Sequence, residues 1–329
     1  MIDFARNAIG KLKAKSWCAR AVYISKKAPS ESVNTLKEST KSKILKGLLH
    51  LLALLPPVHR IATLLGRIAA HYPQLSITQV TRINIQLCFP QLSNEEQTRL
   101  VKQNLIETGK TFSELGALWL WPKDRVLGLV RQVSGEACLQ EALQRGKGVV
   151  LLTPHLGAWE MAGLYASNHY PLTALYRPPK LSGLQDLIHS ARERAGGRFV
   201  PTDKTGVRAL YRALHQGQIA GILPDQVPNE AGSGIFAPFF GIPAYTMVLV
   251  SRLARKTGAT VIFTYAERLP QGFHIHFLPA PVDIAADNLE IAVRALNQGI
   301  EHCIQHCPTQ YQWSYKRFKR RPEGEKAVY

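Results

Sequence analysis

The residues best suited to chemistry lie in Thr153-Pro154-His155-Leu156-Gly157-Ala158-Trp159-Glu160. A histidine titrates near neutrality, so it can take a proton from a hydroxyl and return it within one reaction cycle. A carboxylate bonded to one ring nitrogen would fix the tautomer and leave the other nitrogen as the base. Spacing decides whether Glu160 can do this. On one ideal helix, residues five apart point roughly 140° away from each other. His155 must therefore sit in a turn and Glu160 in the first turn of a helix, which Pro154 and Gly157 permit. The competing assignment is a histidine satisfied by backbone at a strand end. The expectation is that His155 acts as general base and that Glu160 orients it.

Other polar groups fall where strands should end. Tyr176-Arg177-Pro178 follows one apolar run and Pro224-Asp225-Gln226 another, while Arg192 and Arg194 lie on a helix before a third. Taken singly, an arginine reads as a solvated face and Asp225 as a helix cap. Grouped at one sheet edge they read as a site, because ligands of open α/β sheets bind beyond the carboxyl ends of strands. Ala237-Pro-Phe-Phe-Gly-Ile-Pro-Ala244 reads as an apolar aromatic loop, either a packed connection or the lining of a greasy tunnel. Glu301-His302-Cys303-Ile304-Gln305-His306-Cys307 has the residue types of a zinc site. On a single helix those side chains span too much of the circumference to converge on one ion, so they are expected to be structural. A nucleophile elbow, a P-loop, a dinucleotide-binding glycine motif and His-Glu-x-x-His are all absent from the sequence.

The elements that must position these groups alternate. Residues 148–153 (GVVLLT) form a short continuous apolar run typical of a buried parallel strand. Further strands are expected at 172–176, 198–201, 219–223, 260–266 and 273–278. Residues 205–214 are amphipathic through Val207, Leu210, Tyr211 and Leu214. Leu289, Val293, Leu296, Ile300, Ile304 and Cys307 make one face of a long final helix. Residues 77–145 read as helical, with Ser93 and Glu96 forming a capping box. The fold class is therefore α/β, with a mainly parallel central sheet flanked by helices and an N-terminal membrane-associating helical segment.

Of 329 residues, 46% are hydrophobic, so a sizeable core is available; 41 Lys+Arg against 23 Asp+Glu give a formal +18. Residues 1–46 hold 11 basic and 3 acidic groups, and residues 311–329 hold 6 and 2, so the excess sits at the ends. Such a field favours anionic partners. The basic runs at 11–46 and 316–321 contain only scattered aromatics, with no pattern for stacking bases, so nucleic acid is not expected. Five cysteines do not make a secreted disulfide framework, and no secretory signal is evident. Residues 1–25 show a weak basic amphipathic pattern, of the kind that lies on an anionic membrane surface, or else make a loosely ordered basic tail; residues 26–46 read as a Ser/Thr/Lys-rich linker. Residues 47–58 (GLLHLLALLPPV) are too short for an unambiguous membrane span, which needs roughly 20 apolar residues. They read as a membrane-embedded or interfacial hairpin, or else as a core helix; the expectation is the membrane. The organisation expected is a basic extension and linker at 1–43, a membrane-associating segment at 44–72 and a catalytic α/β domain at 73–329.

The pair in His155-Leu-Gly-Ala-Trp-Glu160 resembles the His-x-x-x-x-Glu signature of the lipid A late acyltransferases, within the lysophospholipid acyltransferase superfamily. Further blocks agree in order: Asn84-Ile-Gln-Leu-Cys-Phe-Pro90, Arg192-Glu-Arg-Ala-Gly-Gly197, Leu223-Pro-Asp-Gln226, Pro238-Phe-Phe-Gly-Ile-Pro-Ala244, Arg252–Ala259 and Tyr311–Gly324. The sequence departs from the family at Val227, where Asp or His is frequent, and at Tyr315, where His is frequent. The resemblance implies transfer of a fatty acyl chain from acyl carrier protein to the hydroxyl of a 3-hydroxyacyl chain on a lipid A precursor. It implies work at the cytoplasmic face of the inner membrane, without metal or organic cofactor. An acceptor such as an ornithine lipid or glycolipid is the alternative. Arg192 is then expected to hold the acceptor phosphate or the developing oxyanion, with Asp225 organising that arginine or the acceptor. Substrate contacts are expected from Trp159, Arg177, Arg194, Gln226, Phe239 and Phe240, with Trp159 and the two phenylalanines lining the acyl tunnel.

Overall fold

A computed structural model describes residues 28–54, 59–179, 182–230 and 232–329. The amphipathic pattern at 1–25 and the Pro56-Pro57 break lie outside the described residues.

Among the described residues, nine strands form a seven-stranded sheet and a separate hairpin. They are β1 (Val130–Ser134), β2 (Val149–Leu152), β3 (Leu172–Tyr176), β4 (Arg198–Pro201), β5 (Ile219–Ile222), β6 (Gly234–Phe239), β7 (Ile242–Met247), β8 (Thr260–Leu269) and β9 (Gly272–Pro279). The large sheet runs β1-β9-β8-β2-β5-β3-β4. Its pairings are parallel except for the β8–β9 hairpin, as the α/β expectation required. Strand β2 shows why: all four of its residues are buried, because both sheet faces are covered. Val150 and Leu152 pack with Leu210, Leu253 and Leu296 on one face. Val149 and Leu151 pack with Leu139 and Met161 on the other.

The helices that cover the sheet include α6 (Glu136–Gln144), α7 (Trp159–His169), α8 (Gln185–Glu193), α9 (Lys204–His215), α10 (Leu249–Thr257) and α11 (Leu289–His306). Ahead of them come α1 (Ala28–Leu54), α2 (His59–His71), α3 (Ser76–Cys88), α4 (Asn94–Leu120) and the short α5 (Lys123–Leu127). The capping box at Ser93 and Glu96 starts α4, with both reciprocal bonds made.

Three sequence expectations need correction. Residues 28–46, expected as linker, are helical and continue into the leucine-rich stretch as α1; Pro29 falls in the first turn, where its missing N–H has no helical partner to lose. The helical expectation for 77–145 missed β1, an edge strand only partly buried and thus without a continuous apolar run. The aromatic stretch at 237–244 is not a loop but the β6–β7 hairpin, with Pro238 opposite Pro243. Proline is tolerated there because a two-stranded ribbon leaves each strand one edge that needs no N–H. Its two-residue turn has positive φ at Phe240 (49°) and Gly241 (78°), the geometry that matches strand twist. The N–H of Phe240 donates to Glu301 Oε1 at 2.7 Å, which holds the strained residue in place.

Helices α1 and α2 pack on α4 at backbone distance. A Cβ added at Gly116 would lie 2.6 Å from Leu49 O, and one at Gly66 would lie 2.4 Å from Ile106 Cα. The outer sides carry apolar residues among basic ones: Ile44, Leu48, Leu51, Leu54, Leu64 and Ile68 are 45–81% exposed, and Lys41, Lys43 and Arg67 are exposed with them. Among the described residues no helix is long and apolar enough to cross a membrane. The same three-helix layer is tied to the sheet by Arg268 at the end of β8, which is buried against Glu107 and Glu114 of α4.

Candidate active site

Strands β2 and β5 are parallel neighbours, with Leu152 paired to Ile222. The ladder runs one step further, since Thr153 N–H donates to Ile222 O at 2.9 Å. Counting on from Leu152 and Ile222 in the same register sets His155 opposite Asp225, and the two residues do meet. That register brings both oxygens of Asp225 onto His155. Oδ2 accepts the His155 backbone N–H at 2.9 Å, and Oδ1 lies 2.8 Å from Nδ1. An ionised carboxylate only accepts, so Nδ1 carries the hydrogen and Nε2 presents its lone pair. Burial pushes the Asp225 carboxyl up, but the charge and hydrogen bonds of His155 outweigh it and hold the group below its ordinary value. Gln226 Nε2 lies 3.2 Å from His155 Nε2 and 3.4 Å from Gln312 Oε1.

Glu160 is therefore not the carboxylate that orients His155. It lies in the first turn of α7 as the spacing required, but its oxygens are taken by Arg192 of α8, whose Nε donates to Oε2 at 3.0 Å and whose Nη2 donates to Oε1. The physical reason is the turn. Gly157 has φ 61°, and a Cβ there would lie 2.0 Å from Ala266 O. This backbone conformation lets Ala158 N–H donate to Ala266 O at 2.8 Å and sets the start of α7 against β8. The Glu160 carboxyl is raised by burial but lowered more by Arg192, with smaller help from Trp119 and His155, so it stays ionised. Burial alone would lower the Arg192 guanidinium; Glu160 reverses this and raises it. The Tyr176 ring lies 5.1 Å from the guanidinium carbon. Asp225 likewise does not touch Arg192; its oxygens serve His155.

A narrow, mainly apolar cleft of ≈ 60 Å³ runs beside the ion pair, lined by Leu118, Trp119, Trp159, Leu164, Phe199 and Leu223. Trp159, expected to line a tunnel, forms a wall here, and its ring lies 5.1 Å from that of His155. Phe239 and Phe240 are elsewhere. Phe239 is fully buried near Tyr311 and Phe318, and Phe240 packs on Phe89 and Trp313, because the hairpin folds them inward. Arg177 is exposed just past β3. Arg194 donates to Leu118 O, Trp119 O and Ala191 O, which satisfies carbonyls at the end of α4 that have no helical partner. Of the residues singled out, the structure thus gathers His155, Asp225 and Gln226 in one group and Trp159, Glu160 and Arg192 in the adjoining one.

The seat of the His155 loop escaped the sequence reading. Gly157 N–H donates to Gln310 O at 3.1 Å, and Gln312 N–H donates to His155 O at 3.0 Å. Asn104 Nδ2 holds this segment by donating to Thr309 O at 2.8 Å and Tyr311 O at 2.6 Å. Asn84 Nδ2 does the same for Trp313 O at 2.6 Å and Tyr315 O at 2.8 Å. Burial, then the Asp225 charge, push the Tyr311 hydroxyl well above its ordinary value, so it stays protonated. Within the terminal basic run, Arg317 and Arg321 donate to Tyr245 O and Pro243 O of the hairpin, so two of these charges serve packing. The only available signal was polar amides inside apolar helices, which marks buried hydrogen bonds without naming their partners. Cys303 and Cys307 are buried while His306 is exposed, so the α11 cluster does not converge.

The comparisons with known proteins agree with one another. Residues 30–320 match the family model described as bacterial lipid A biosynthesis acyltransferase. The chain is 28% identical over 277 residues to the lipid A biosynthesis lauroyltransferase of Escherichia coli K12, covering 83% of this chain and 89% of that protein. It is 30% identical over 253 residues to the palmitoleoyltransferase of the same organism, covering 76% and 81%. It is 27% identical over 281 residues to the myristoyltransferase, covering 83% and 85%. With a carboxylate-held histidine at the carboxyl edge of a parallel sheet and a family match over most of its length, the chain belongs to the bacterial lipid A biosynthesis acyltransferases.

Proposed function

We propose that the protein transfers a fatty acyl chain from acyl carrier protein to the hydroxyl of a 3-hydroxyacyl chain on a lipid A precursor, with His155 as general base. The observation that carries this reading is the two-point grip of Asp225 on His155 beside an apolar cleft. Nε2 of His155 takes the proton of the acceptor hydroxyl as its oxygen attacks the thioester carbonyl. The tetrahedral intermediate collapses by breaking the C–S bond, and the imidazolium returns the proton to the leaving thiolate. Asp225 fixes the tautomer and stabilises the imidazolium. Glu160 acts one step away: it aims Arg192, whose remaining donors face the developing oxyanion or the acceptor phosphate. The test is transfer of labelled acyl chain from acyl carrier protein to a tetra-acylated lipid A precursor, followed by mass spectrometry. The wild-type protein is expected to add one acyl chain, and His155→Ala to lose about 10²-fold or more in turnover. A folded His155→Ala protein with near-normal turnover would refute the mechanism; a product formed only on another lipid would refute the acceptor.

The protein is further proposed to work on the cytoplasmic face of the inner membrane. The exposed apolar residues of α1 and α2, beside a strongly basic N-terminal stretch, support binding at an anionic lipid surface. Leu51→Glu with Ile68→Glu should sharply reduce co-flotation with anionic vesicles without changing the circular dichroism spectrum. Unchanged flotation would exclude this face as the membrane contact.

A further inference from the structure

The edge half of the sheet carries a second group of chemically competent side chains. His274 and His276 are two residues apart on β9, so they share one face. Glu267 on β8 pairs opposite His274 in the antiparallel register and therefore joins them. One nitrogen or oxygen from each of the three lies within 4.8 Å of the other two. Glu267 Oε2 is 2.9 Å from His276 Nε2, and the hydroxyl of Ser134, on the neighbouring β1, is 2.8 Å from His274 Nε2. All three residues are half-buried. The Tyr265 ring stacks on His276 at 4.5 Å and limits its rotation.

We infer that Glu267, His274 and His276 form a binding site for one divalent transition-metal ion of the zinc class, separate from the His155 site. Two imidazoles and a carboxylate are a borderline N, N, O donor set that suits zinc rather than calcium or magnesium. Ligand atoms around a tetrahedral zinc lie about 3.4 Å apart, and the three here already lie within 4.8 Å of one another, with Glu267 Oε2 and His276 Nε2 at 2.9 Å. Ser134 or a water completes the shell. The ion would join β8 and β9 directly and, through Ser134, β1. Glu267 follows Ala266, whose carbonyl holds Ala158 N–H at the start of α7, so the ion would also stiffen the strand on which the His155 loop is seated. This role is structural and does not depend on the acyl-transfer reading.

The experiment is titration of untagged, chelator-washed, full-length protein with zinc chloride by calorimetry, and with cobalt(II) by visible absorption. The expected result is one saturable equivalent, tetrahedral cobalt bands and a raised thermal midpoint that magnesium does not reproduce. His274→Gln and Glu267→Gln should each weaken binding by at least about 10-fold, whereas His302→Gln on α11 should not. The wild-type protein alone decides the main point: absence of a saturable equivalent overturns the site. Binding that survives both His274→Gln and Glu267→Gln, or that is lost with His302→Gln, also overturns it.

Discussion

Asparagine at position 225 is expected to cut acyl-transfer turnover by about 10²- to 10⁴-fold, close to the loss from His155→Ala. The amide is nearly isosteric with the carboxylate, and the fold should persist. Its oxygen would keep the bond from His155 backbone N–H, which leaves the –NH₂ group facing Nδ1. That group donates, so Nδ1 must accept, and the hydrogen moves to Nε2. The base is then blocked at the very atom that should receive the hydroxyl proton. If Asp225 and His155 serve one step as proposed, the double variant should be little worse than His155→Ala alone. Losses that multiply would separate the two residues. Glu160→Gln should behave differently: it loosens Arg192, and its effect should change with the acceptor headgroup used.

The largest effect on stability is expected from Arg268→Met, about 3–5 kcal/mol in urea unfolding. The Arg268 side chain is 2% exposed and donates to Glu114 at 2.6 and 2.8 Å, to Glu107 at 2.8 Å and to Thr111 at 3.0 Å. Burial alone would lower its guanidinium; the two glutamates reverse this and raise it, so the cation persists. Methionine fills much of the volume but removes the cation that compensates two carboxylates on α4. Combining it with Glu107→Gln and Glu114→Gln should recover most of the loss, because neutral amides need no balancing charge. A loss under about 1 kcal/mol for Arg268→Met would show that water reaches the pair and that the α4–β8 contact is not electrostatic.

Much of the sheet was legible because β2 and β5 are continuous apolar runs, β3 is interrupted only by Thr173, and β8 and β9 sit between clear breaks. The same runs located His155, since a strand that ends in Thr-Pro-His points its next residue into the sheet's binding edge. The partner of His155 was not legible. Glu160 is five residues away and Asp225 seventy, and only strand order shows that the distant one is adjacent. Position along the chain favoured Glu160; β5 lying beside β2 favours Asp225. Residues 28–46 and 237–244 were misread for a related reason. Their compositions suggest linker and loop, while continuation into the helix of the leucine-rich stretch and pairing across a hairpin decide otherwise. The exposed leucines of α1 were legible as apolar, but their spacing could not say which side α4 would cover.

The contact between residues 309–315 and the His155 loop also sets an order of events during synthesis. The ribosome has delivered His155 and Asp225 well before it reaches Gln310, Tyr311 and Gln312. Until those residues emerge, Gly157 N–H and His155 O lack the partners that seat the turn, and Asn84 and Asn104 have nothing to hold. A nascent chain therefore carries His155 and Asp225 in an unfinished setting until the last part of translation. The His155 turn is completed only when the final stretch docks, so the group that holds His155 is among the last parts of the fold to form.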